Sequence, residues 1–325
     1  MAKWLQRRVR WREIIQLSFA ALSNSFVTGF AAGKIYQGKL KNLCAPGLNC
    51  YSCPGAVLSC PIGSLQAVLG ARGFQISLYV FGSILVFGAL LGRMVCGFLC
   101  PFGMIQEWLH RIPSPWKIRK DFRGDRPLRY LKYAVLVILV ILLPMTLKAE
   151  TGVGSPTFCK FVCPAGTLEG GVPLVLLSGG GGAQPAPLPA RPFQALPGAT
   201  QAITAPVYQT GWLFNWKMFL LVLTLIGSVL IYRPFCKYVC PLGAIYGLLN
   251  PVALYRLNID SALCIHCGKC RRACQMTLNP QVKQNQAECV RCGDCVNVCP
   301  TGALSMGFTP RQAEAQPGQT LTHNP

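Results

Sequence analysis

The chain has 325 residues, of which 52% are hydrophobic and only 13% are charged, and its mean hydropathy is +0.39. Soluble globular proteins average about 25% charged residues, so this composition excludes extensive disorder and favours a membrane protein. The three histidines, His110, His266 and His323, lie outside every predicted membrane span, which excludes a cytochrome b-type protein. No Cys-x-x-Cys-His sequence occurs, which excludes covalent c-type haem.

Four apolar stretches are long enough to cross a bilayer, since about 20 apolar residues span its core. They are residues 14–32, 76–95, 131–147 and 212–231. The first follows five basic residues and is interrupted by Asn24, so we predict a retained signal anchor, with a cleaved signal peptide as the alternative. In either case the chain after residue 33 is expected to start outside the cell.

The basic residues are predicted to set the orientation of the chain, whose net charge is +21. Residues 1–12 carry five Lys and Arg, the loop at 110–132 carries eight, and the segment from Arg233 carries nine. The other two loops carry four and three. Both termini are therefore expected in the cytoplasm, with four crossings of the cytoplasmic membrane. The charge serves topology, and no nucleic-acid partner is expected.

Eight C-terminal cysteines have the spacing of a bacterial ferredoxin with two clusters. The first run is Cys264, Cys267, Cys270 and Cys274, and the second is Cys289, Cys292, Cys295 and Cys299. In such proteins the fourth cysteine of each run ligates the other cluster. One [4Fe–4S] cluster is therefore predicted at Cys264, Cys267, Cys270 and Cys299, and a second at Cys289, Cys292, Cys295 and Cys274. Structural zinc is the alternative, but zinc does not require two complete runs of four.

A second repeat, Cys-Pro-x-Gly, begins at four cysteines of the apolar part: Cys60, Cys100, Cys163 and Cys240. Three copies have another cysteine four residues earlier, at Cys96, Cys159 and Cys236. Residues four apart share one face of a helical turn, so each pair can offer two thiolates to one metal centre. Proline suits the first turn of the next helix, and glycine lets the backbone approach a cluster closely.

Topology predicts which pairs meet. The inner site, near the cytoplasm, is predicted to comprise Cys96, Cys100, Cys236 and Cys240, because these cysteines close the second and fourth spans. The outer site is predicted to comprise Cys53, Cys60, Cys159 and Cys163, with Cys50 and Cys44 as substitutes. Its choice is open because Ala56 stands four residues before Cys60. Cys44 and Cys50 would then form a disulfide or stay as spare thiols, and disulfides could also take up all six outer cysteines.

The Cys-x3-Cys-Pro motifs at 96–101 and 236–241, the four spans and the C-terminal double ferredoxin resemble the NapH/NosR-type membrane-bound polyferredoxins. The resemblance covers residues 10–305 and implies quinol-linked or ferredoxin-linked electron transfer to or from a partner redox protein. The cysteines at 44–60 and 159–163 go beyond the simple NapH pattern. The flavin-binding domain of NosR-type relatives is not expected in these residues.

The predicted fold class is a membrane all-α domain joined to a small α+β ferredoxin domain. The membrane domain, residues 1–255, contains four transmembrane helices, short re-entrant segments near 65–70 and 168–177, and an outer Gly/Pro-rich linker at 178–210. The ferredoxin domain at 256–308 is expected in the cytoplasm. The tail at 309–325 is expected to be flexible.

The predicted function is electron transfer by an integral membrane protein through four [4Fe–4S] clusters. The donor is a cytoplasmic carrier or quinol, and the acceptor is an extracytoplasmic or membrane redox protein. No phosphate loop, dinucleotide fingerprint or nucleophile constellation occurs, so no catalytic residue is predicted. The alternatives are a one-sided quinol dehydrogenase subunit, which leaves the outer cysteines unexplained, and a redox-sensing or maturation factor.

Three charged or polar residues near the inner motif have two interpretations each. Glu107 and His110 could line a quinone site at the membrane interface, although a solvated helix face explains them as well. Arg93 could contact cluster sulfur, but it is predicted to be a span-end side chain that extends to water.

Overall fold

The computed structural model describes residues 2–32, 35–71, 78–117, 124–147, 154–178 and 211–308. These residues are mostly helical. The α-helices are Ala2–Ser23, Thr28–Ala32, Pro61–Leu69, Leu78–Leu91, Met94–Phe98, Pro101–Arg111, Asp125–Leu128, Leu131–Val135, Leu143–Thr146, Thr157–Phe161, Pro164–Gly166, Val172–Ser178, Trp212–Leu230, Pro234–Tyr238, Pro241–Leu249, Lys269–Ala273 and Asp294–Asn297. Lys39–Asn42 form a 3-10 turn, and Leu136–Leu142 and Thr167–Gly171 are π-helical. The predicted linker, apart from Ser178, and the predicted tail lie outside the described residues.

Two helical segments of the described residues are long and apolar enough to cross a membrane. One is Asp125–Thr146, which combines the successive α- and π-helical elements of that stretch, and the other is Trp212–Leu230. They coincide with the third and fourth predicted spans. Only 22% and 11% of their most apolar windows are buried inside the protein. A core helix of a soluble protein would be mostly buried, so this exposure suits contact with lipid.

The stretch predicted as the second span forms a shorter helix, Leu78–Leu91, of 14 residues. It ends at Gly92, whose φ of +55° is a backbone conformation that glycine adopts readily at helix ends. Residues 72–77 lie outside the described part of the chain. Over the described residues this helix alone is too short to cross a bilayer of ordinary thickness.

The stretch predicted as the first span is interrupted after Ser23, and a short helix resumes at Thr28. The side-chain amide of Asn24 donates to the Ala20 carbonyl, competing with the helical pattern. The next residues pair with the 55–57 segment, where Phe26 donates its N–H to the Gly55 carbonyl at 3.1 Å. Four full-length spans are therefore not seen among the described residues, and the four-span arrangement stays a prediction.

One hydrophobic core joins most of the Cys-Pro-x-Gly helices. It contains large side chains such as Phe102, Phe158, Phe235 and Tyr246. It also contains five motif cysteines: Cys60, Cys96, Cys100, Cys163 and Cys240. Phe102 and Phe235 meet edge to face, with ring centroids 5.3 Å apart. Because residues of both predicted membrane sites share this core, the two sites are close neighbours.

The ferredoxin domain is built on a two-stranded antiparallel sheet, Arg256–Ile259 with Leu304–Gly307. Arg256 lies opposite Gly307 and Ile259 opposite Leu304. Its buried apolar side chains are few, and Leu257 and Leu304 pack against two of the cysteines, Cys270 and Cys295. A domain with so small an apolar core depends on other groups for its stability.

Candidate iron–sulfur centres

The ferredoxin cysteines fall into the two groups that their spacing predicts. One cavity is lined by Cys264, Cys267, Cys270 and Cys299, and we refer to it as the first ferredoxin site. Another is lined by Cys274, Cys289, Cys292 and Cys295, the second ferredoxin site. In each group three cysteines come from one run and the fourth comes from the other run, as in two-cluster ferredoxins.

Each Cys-Pro-x-Gly motif starts a helix in the same way. The cysteine is the N-cap residue and the proline occupies the first turn. In three copies the glycine N–H donates to the cysteine sulfur: Gly103 to Cys100 at 3.4 Å, Gly166 to Cys163 at 3.3 Å, and Gly243 to Cys240 at 3.3 Å. A helix N-terminus and a directed N–H both stabilise a thiolate. The motif therefore prepares its second cysteine to ligate iron.

The inner site brings together the four cysteines predicted from topology. All four are buried, with exposed fractions of 6% for Cys96, 4% for Cys100, 3% for Cys236 and 1% for Cys240. The pKa of the Cys100 thiol is raised by burial and by the neighbouring Cys236 and Cys96. The pKa of the Cys240 thiol is raised by burial, then by Cys236, Cys96 and Cys100. Their mutual effects on pKa place the four thiols in one group.

The outer site brings together Cys60, Cys159 and Cys163 with Cys50. The pKa of the Cys163 thiol is raised by burial, then by Cys159, Cys50 and Cys60. A Cβ atom on Gly166 would lie 3.6 Å from the sulfur of Cys50, and one on Gly63 would lie 3.9 Å from the sulfur of Cys159. The glycine of each outer motif thus lies against a thiol of the other half of the site.

The contacts favour Cys50, the predicted substitute, over Cys53 as the fourth thiol: Cys50 acts on both Cys60 and Cys163, whereas Cys53 lies beside Cys50 itself. The Cys53 thiol faces the N–H groups of Gly55 and Ala56 and lies near Lys41. No disulfide joins Cys44 to Cys50, which was one of the two predicted outcomes for this pair. The ten-residue separation of Cys50 and Cys60 hid their pairing, because the intervening chain is a loop rather than a helical turn.

The residue six positions after each second cysteine reaches the first cysteine of the partner motif. In the outer site, the Gln66 side chain donates to the Cys159 sulfur at 3.3 Å, and the Cys50 N–H donates to the Glu169 carboxylate at 2.8 Å. In the inner site, the Gln106 side chain donates to the Cys236 sulfur at 3.3 Å. Cys50 therefore occupies the place of the missing first cysteine before Cys60.

Tyr246 is the fourth residue at this repeated position. Its side chain is fully buried. Burial is the main cause that raises the pKa of its hydroxyl, and the nearby Cys96 thiol is the next. Glu169 is also buried, which raises the pKa of its carboxyl to about 7. These four residues were not among the predicted site residues. They occupy the same position in the aligned repeats: Gln66, Gln106, Glu169 and Tyr246.

Two arginines also reach from one inner motif to the other. Each stands three residues before a first cysteine, and each guanidinium crosses to the other motif. Arg93 donates to the Cys236 carbonyl at 3.0 Å, and Arg233 donates to the Cys96 carbonyl. Both side chains have no exposed surface. The two inner motifs are thus related by an approximate internal two-fold arrangement, and Arg233 is a site residue that the sequence analysis missed.

Arg93 is not a span-end side chain that extends to water, which corrects the sequence-based prediction. Its guanidinium donates to the Ala287 carbonyl at 2.9 Å and pairs with Glu288 at 2.7 Å, directly before the ligand candidate Cys289. Lys132 also pairs with Glu288. A long apolar stretch before Cys96 suggested a lipid boundary, but the ferredoxin domain covers this end of the helix.

An Arg93→Met variant is expected to lose about 3–5 kcal/mol of stability, because removing one partner strands charge in a buried network. Thermal unfolding of the purified protein, followed by tryptophan fluorescence, would measure the loss. The matched control is Arg126→Met, since Arg126 is exposed. Equal unfolding temperatures for the two variants would contradict a structural role for the Arg93 network.

Glu107 is buried, with 4% of its surface exposed, and this corrects the solvated helix face. Burial alone would raise its pKa, but Arg233 and Arg12 lower it below its usual value. Its carboxylate pairs with Arg12 at 2.9 Å and Arg233 at 3.1 Å. Glu107 therefore holds the N-terminal helix and the inner site together, which leaves it committed to ion pairs rather than open to a quinone.

Neighbouring sites touch through single backbone contacts. A Cβ atom on Gly97 would lie 2.6 Å from the Val290 carbonyl oxygen, so the Cys96 turn lies directly on the second ferredoxin site. A Cβ atom on Gly47 would lie 2.8 Å from the Leu99 oxygen and 3.0 Å from the Cys100 Cα. The loop that leads to Cys50 therefore lies directly on the inner site.

Two consecutive amides connect the inner and outer sites. The backbone N–H of Leu48 faces the Cys100 thiol, and the N–H of Asn49 faces the Cys60 thiol. Leu48 is 2% exposed and Asn49 is fully buried. The Tyr246 hydroxyl donates to the Pro46 carbonyl at 2.9 Å and holds this loop in place. One peptide unit thus separates groups that face the two sites.

The four groups of thiols suit [4Fe–4S] clusters chemically. Each offers four cysteine sulfurs, the donor set of such clusters, and backbone N–H groups point at several of them. Among the described residues, no three His, Cys, Asp or Glu side chains lie close enough to hold one metal ion. In a four-iron cluster each thiolate instead binds a different iron, so its ligands stand further apart.

Comparisons with known proteins agree with this chemistry. A family model described as a 4Fe-4S binding domain matches residues 74–122, 131–172 and 214–258. A second model of the same description matches residues 282–305, which hold the second ferredoxin run. No solved structure matches the chain. The matched segments include the cysteines of the inner site and Cys159 and Cys163, but not the 44–60 loop.

Two proteins of similar sequence are named as ferredoxin-type proteins. The ferredoxin-type protein NapH of Haemophilus influenzae is 26% identical over 83% of this chain and 76% of its own length. The chain is a homologue of the ferredoxin-type NapH proteins. The methylamine utilization ferredoxin-type protein MauN of Paracoccus denitrificans is 24% identical over 56% of this chain and 48% of its own. An uncharacterized protein of Methanocaldococcus jannaschii is 25% identical over 68% and 67%. The predicted resemblance to NapH-type proteins is thus confirmed, and the chain is similar to ferredoxin-type proteins with 4Fe-4S binding domains.

Proposed function

We propose that this protein relays electrons across the cytoplasmic membrane, between a cytoplasmic or quinol donor and a partner redox protein on the outer side. Its four sites are the two ferredoxin sites, the inner site and the outer site with Cys50, Cys60, Cys159 and Cys163. A [4Fe–4S] cluster, when bound, accepts and donates single electrons. The observation that carries the proposal is the unbroken series of contacts between neighbouring sites.

The chain's own residues give the series its order. Gly97 and Val290 bring the second ferredoxin site against the inner site, and Gly47 brings the loop before Cys50 against Cys100. The first ferredoxin site stands at one end of the series and the outer site at the other. Transfer between neighbouring sites then needs no large movement. Backbone contacts join the inner site to both of its neighbours, and Cys270 and Cys295 of the two ferredoxin sites belong to one apolar cluster.

Membrane insertion is part of the proposal. Two helices have the length and hydropathy of membrane spans, and the basic residues cluster in the segments predicted to be cytoplasmic. The four outer thiols favour a relay that reaches the far side over a one-sided quinol dehydrogenase subunit. Such a subunit would need only the ferredoxin sites and the inner site.

The test is to measure iron and acid-labile sulfide on anaerobically purified protein, with EPR of the reduced sample. Four clusters predict about 16 irons per chain, since each contains four. A Cys159→Ser, Cys163→Ser double variant is expected to lose about 4 of them. The matched control is Cys44→Ser, which changes a thiol outside the four groups. About 12 irons in the unaltered protein, with no loss in the double variant, would remove the outer site and leave a one-sided donor.

A further inference from the structure

The surface around the first ferredoxin site is basic and partly apolar. Lys269, Arg271, Arg272 and Lys283 are exposed there. Three apolar side chains are also exposed: Leu263 at 50%, Ile265 at 62% and Val282 at 82%. We call these seven residues the basic face. Within residues 256–308, Asp260 is the single exposed acidic residue, so this face has a positive potential.

The basic face surrounds the ligand candidates of the first ferredoxin site. Ile265 and Lys269 line the same cavity as its four cysteines. The Gln281 side chain lies 3.9 Å from the Cys264 sulfur, and the exposed Val282 follows it in the chain. Lys283 lines the adjacent cavity of the second ferredoxin site. Cys264, Cys267 and Cys299 are themselves partly exposed. A protein bound to this face would therefore lie directly against the site.

The second ferredoxin site is covered on the side that faces the inner site, although Cys274, Cys289 and Cys292 are partly exposed. Val290 is buried against Gly97, and the Arg291 side chain donates to the Leu91 carbonyl at 2.8 Å. The Asn250 side chain donates to the Gln286 carbonyl at 2.7 Å and the Cys289 carbonyl at 3.1 Å. These contacts cover the side of the domain that faces the inner site. The first ferredoxin site is left as the open end of the series.

We propose that the basic face docks an acidic electron-carrier protein, which exchanges one electron with the first ferredoxin site. This inference rests on the proposed function and adds the chemistry of the cytoplasmic partner. An apolar centre with a charged rim is the usual composition of a transient interface, and opposite charge accelerates encounter. In each encounter the carrier loses one electron and the site gains it, or the reverse, and no bond forms or breaks.

The experiment compares two charge-reversal variants of the full chain in neutral detergent. Lys269→Glu with Arg271→Glu reverses two charges on the basic face. Lys39→Glu with Lys160→Glu makes the same change of net charge at exposed lysines of the segments predicted to be outside. Stopped-flow absorbance follows oxidation of a reduced acidic plant-type [2Fe–2S] ferredoxin, used as the probe, at several ionic strengths. A basic c-type cytochrome serves as a second probe, accepting electrons from the pre-reduced protein.

The basic-face variant is expected to slow transfer from the acidic probe about tenfold at low salt, since steering changes association rates by roughly 10–1,000-fold. The difference should shrink as salt rises, and the basic probe should not be slowed. Equal rates for both variants would overturn the docking face. Slower transfer that appears only when the basic-face variant is in vesicles with anionic lipid would assign the face to lipid binding. That result would also overturn the proposed docking of a protein. Iron content near that of the unaltered protein in both variants keeps the proposed function separate from this outcome.

Discussion

A Cys50→Ser variant is expected to lose one cluster, about 4 of about 16 irons per chain, whereas Cys53→Ser keeps them all. The Cys50 thiol lies with Cys163 and Cys159, and its N–H donates to Glu169 at 2.8 Å. Cys53 instead lies near Lys41 and the amides of Gly55 and Ala56. Iron and sulfide analysis with EPR of the dithionite-reduced protein measures the loss directly.

The two variants form a matched pair, because both thiols belong to one loop and each substitution replaces a sulfur atom with oxygen. A general weakening of the loop would lower iron content in both. Loss of iron in Cys53→Ser with full retention in Cys50→Ser would reverse the assignment. It would also contradict the rule that the residue six positions after each second cysteine contacts the first cysteine of the partner motif.

The ferredoxin sites and the inner site could be predicted because their information is local. A spacing of two, two and three residues places ferredoxin cysteines around a cluster by itself. A spacing of four places Cys96 near Cys100, and Cys236 near Cys240. The predicted membrane sidedness then combined the two pairs, and the same four thiols lie together in the structure. No tertiary contact beyond the helix ends had to be known.

The outer site could be predicted only in part, because Cys50 reaches Cys60 through a loop without helical period. Loop conformation depends on distant contacts, here those of Glu169 and Gly170 with the 50–52 backbone and the Cys50 sulfur. A signal did exist in the sequence. The sixth residue after each second cysteine is polar or aromatic in all four repeats. In the outer site these residues are Gln66, which contacts Cys159, and Glu169, which contacts Cys50.

The buried charges escaped sequence reasoning for a related reason. Arg93 ends an apolar stretch, which usually marks the lipid boundary. The ferredoxin domain lies against that boundary and supplies Glu288 as its partner. The repeated spacing of Arg93 to Cys96 and Arg233 to Cys236 was the available signal, since a shared position in two repeats indicates a shared contact. Hydropathy also does not show where a helix ends, because Asn24 and Gly92 end helices of the described residues through local backbone geometry.

A Gly97→Val variant is expected to separate the ferredoxin domain from the inner site while every cluster still loads. A Cβ atom at this position would lie 2.6 Å from the Val290 carbonyl oxygen, which belongs to the backbone and cannot rotate away. Overpacking of this kind costs about 1–3 kcal/mol, so the domain is expected to shift rather than unfold. Electron transfer from the reduced ferredoxin domain to the inner site should slow by an order of magnitude or more.

Gly82→Val is the matched control, because a Cβ atom on Gly82 meets nothing within 4 Å. Freeze-quench EPR after mixing with a reductant follows the order in which the sites are reduced. The magnetic broadening between the second ferredoxin site and the inner site gives a readout of their separation that does not depend on turnover. Unchanged broadening and an unchanged rate in Gly97→Val would show that this contact does not set the path. Slowing in Gly97→Val alone, at full iron content, assigns the Gly97–Val290 contact as the point where electrons enter the membrane part of the series.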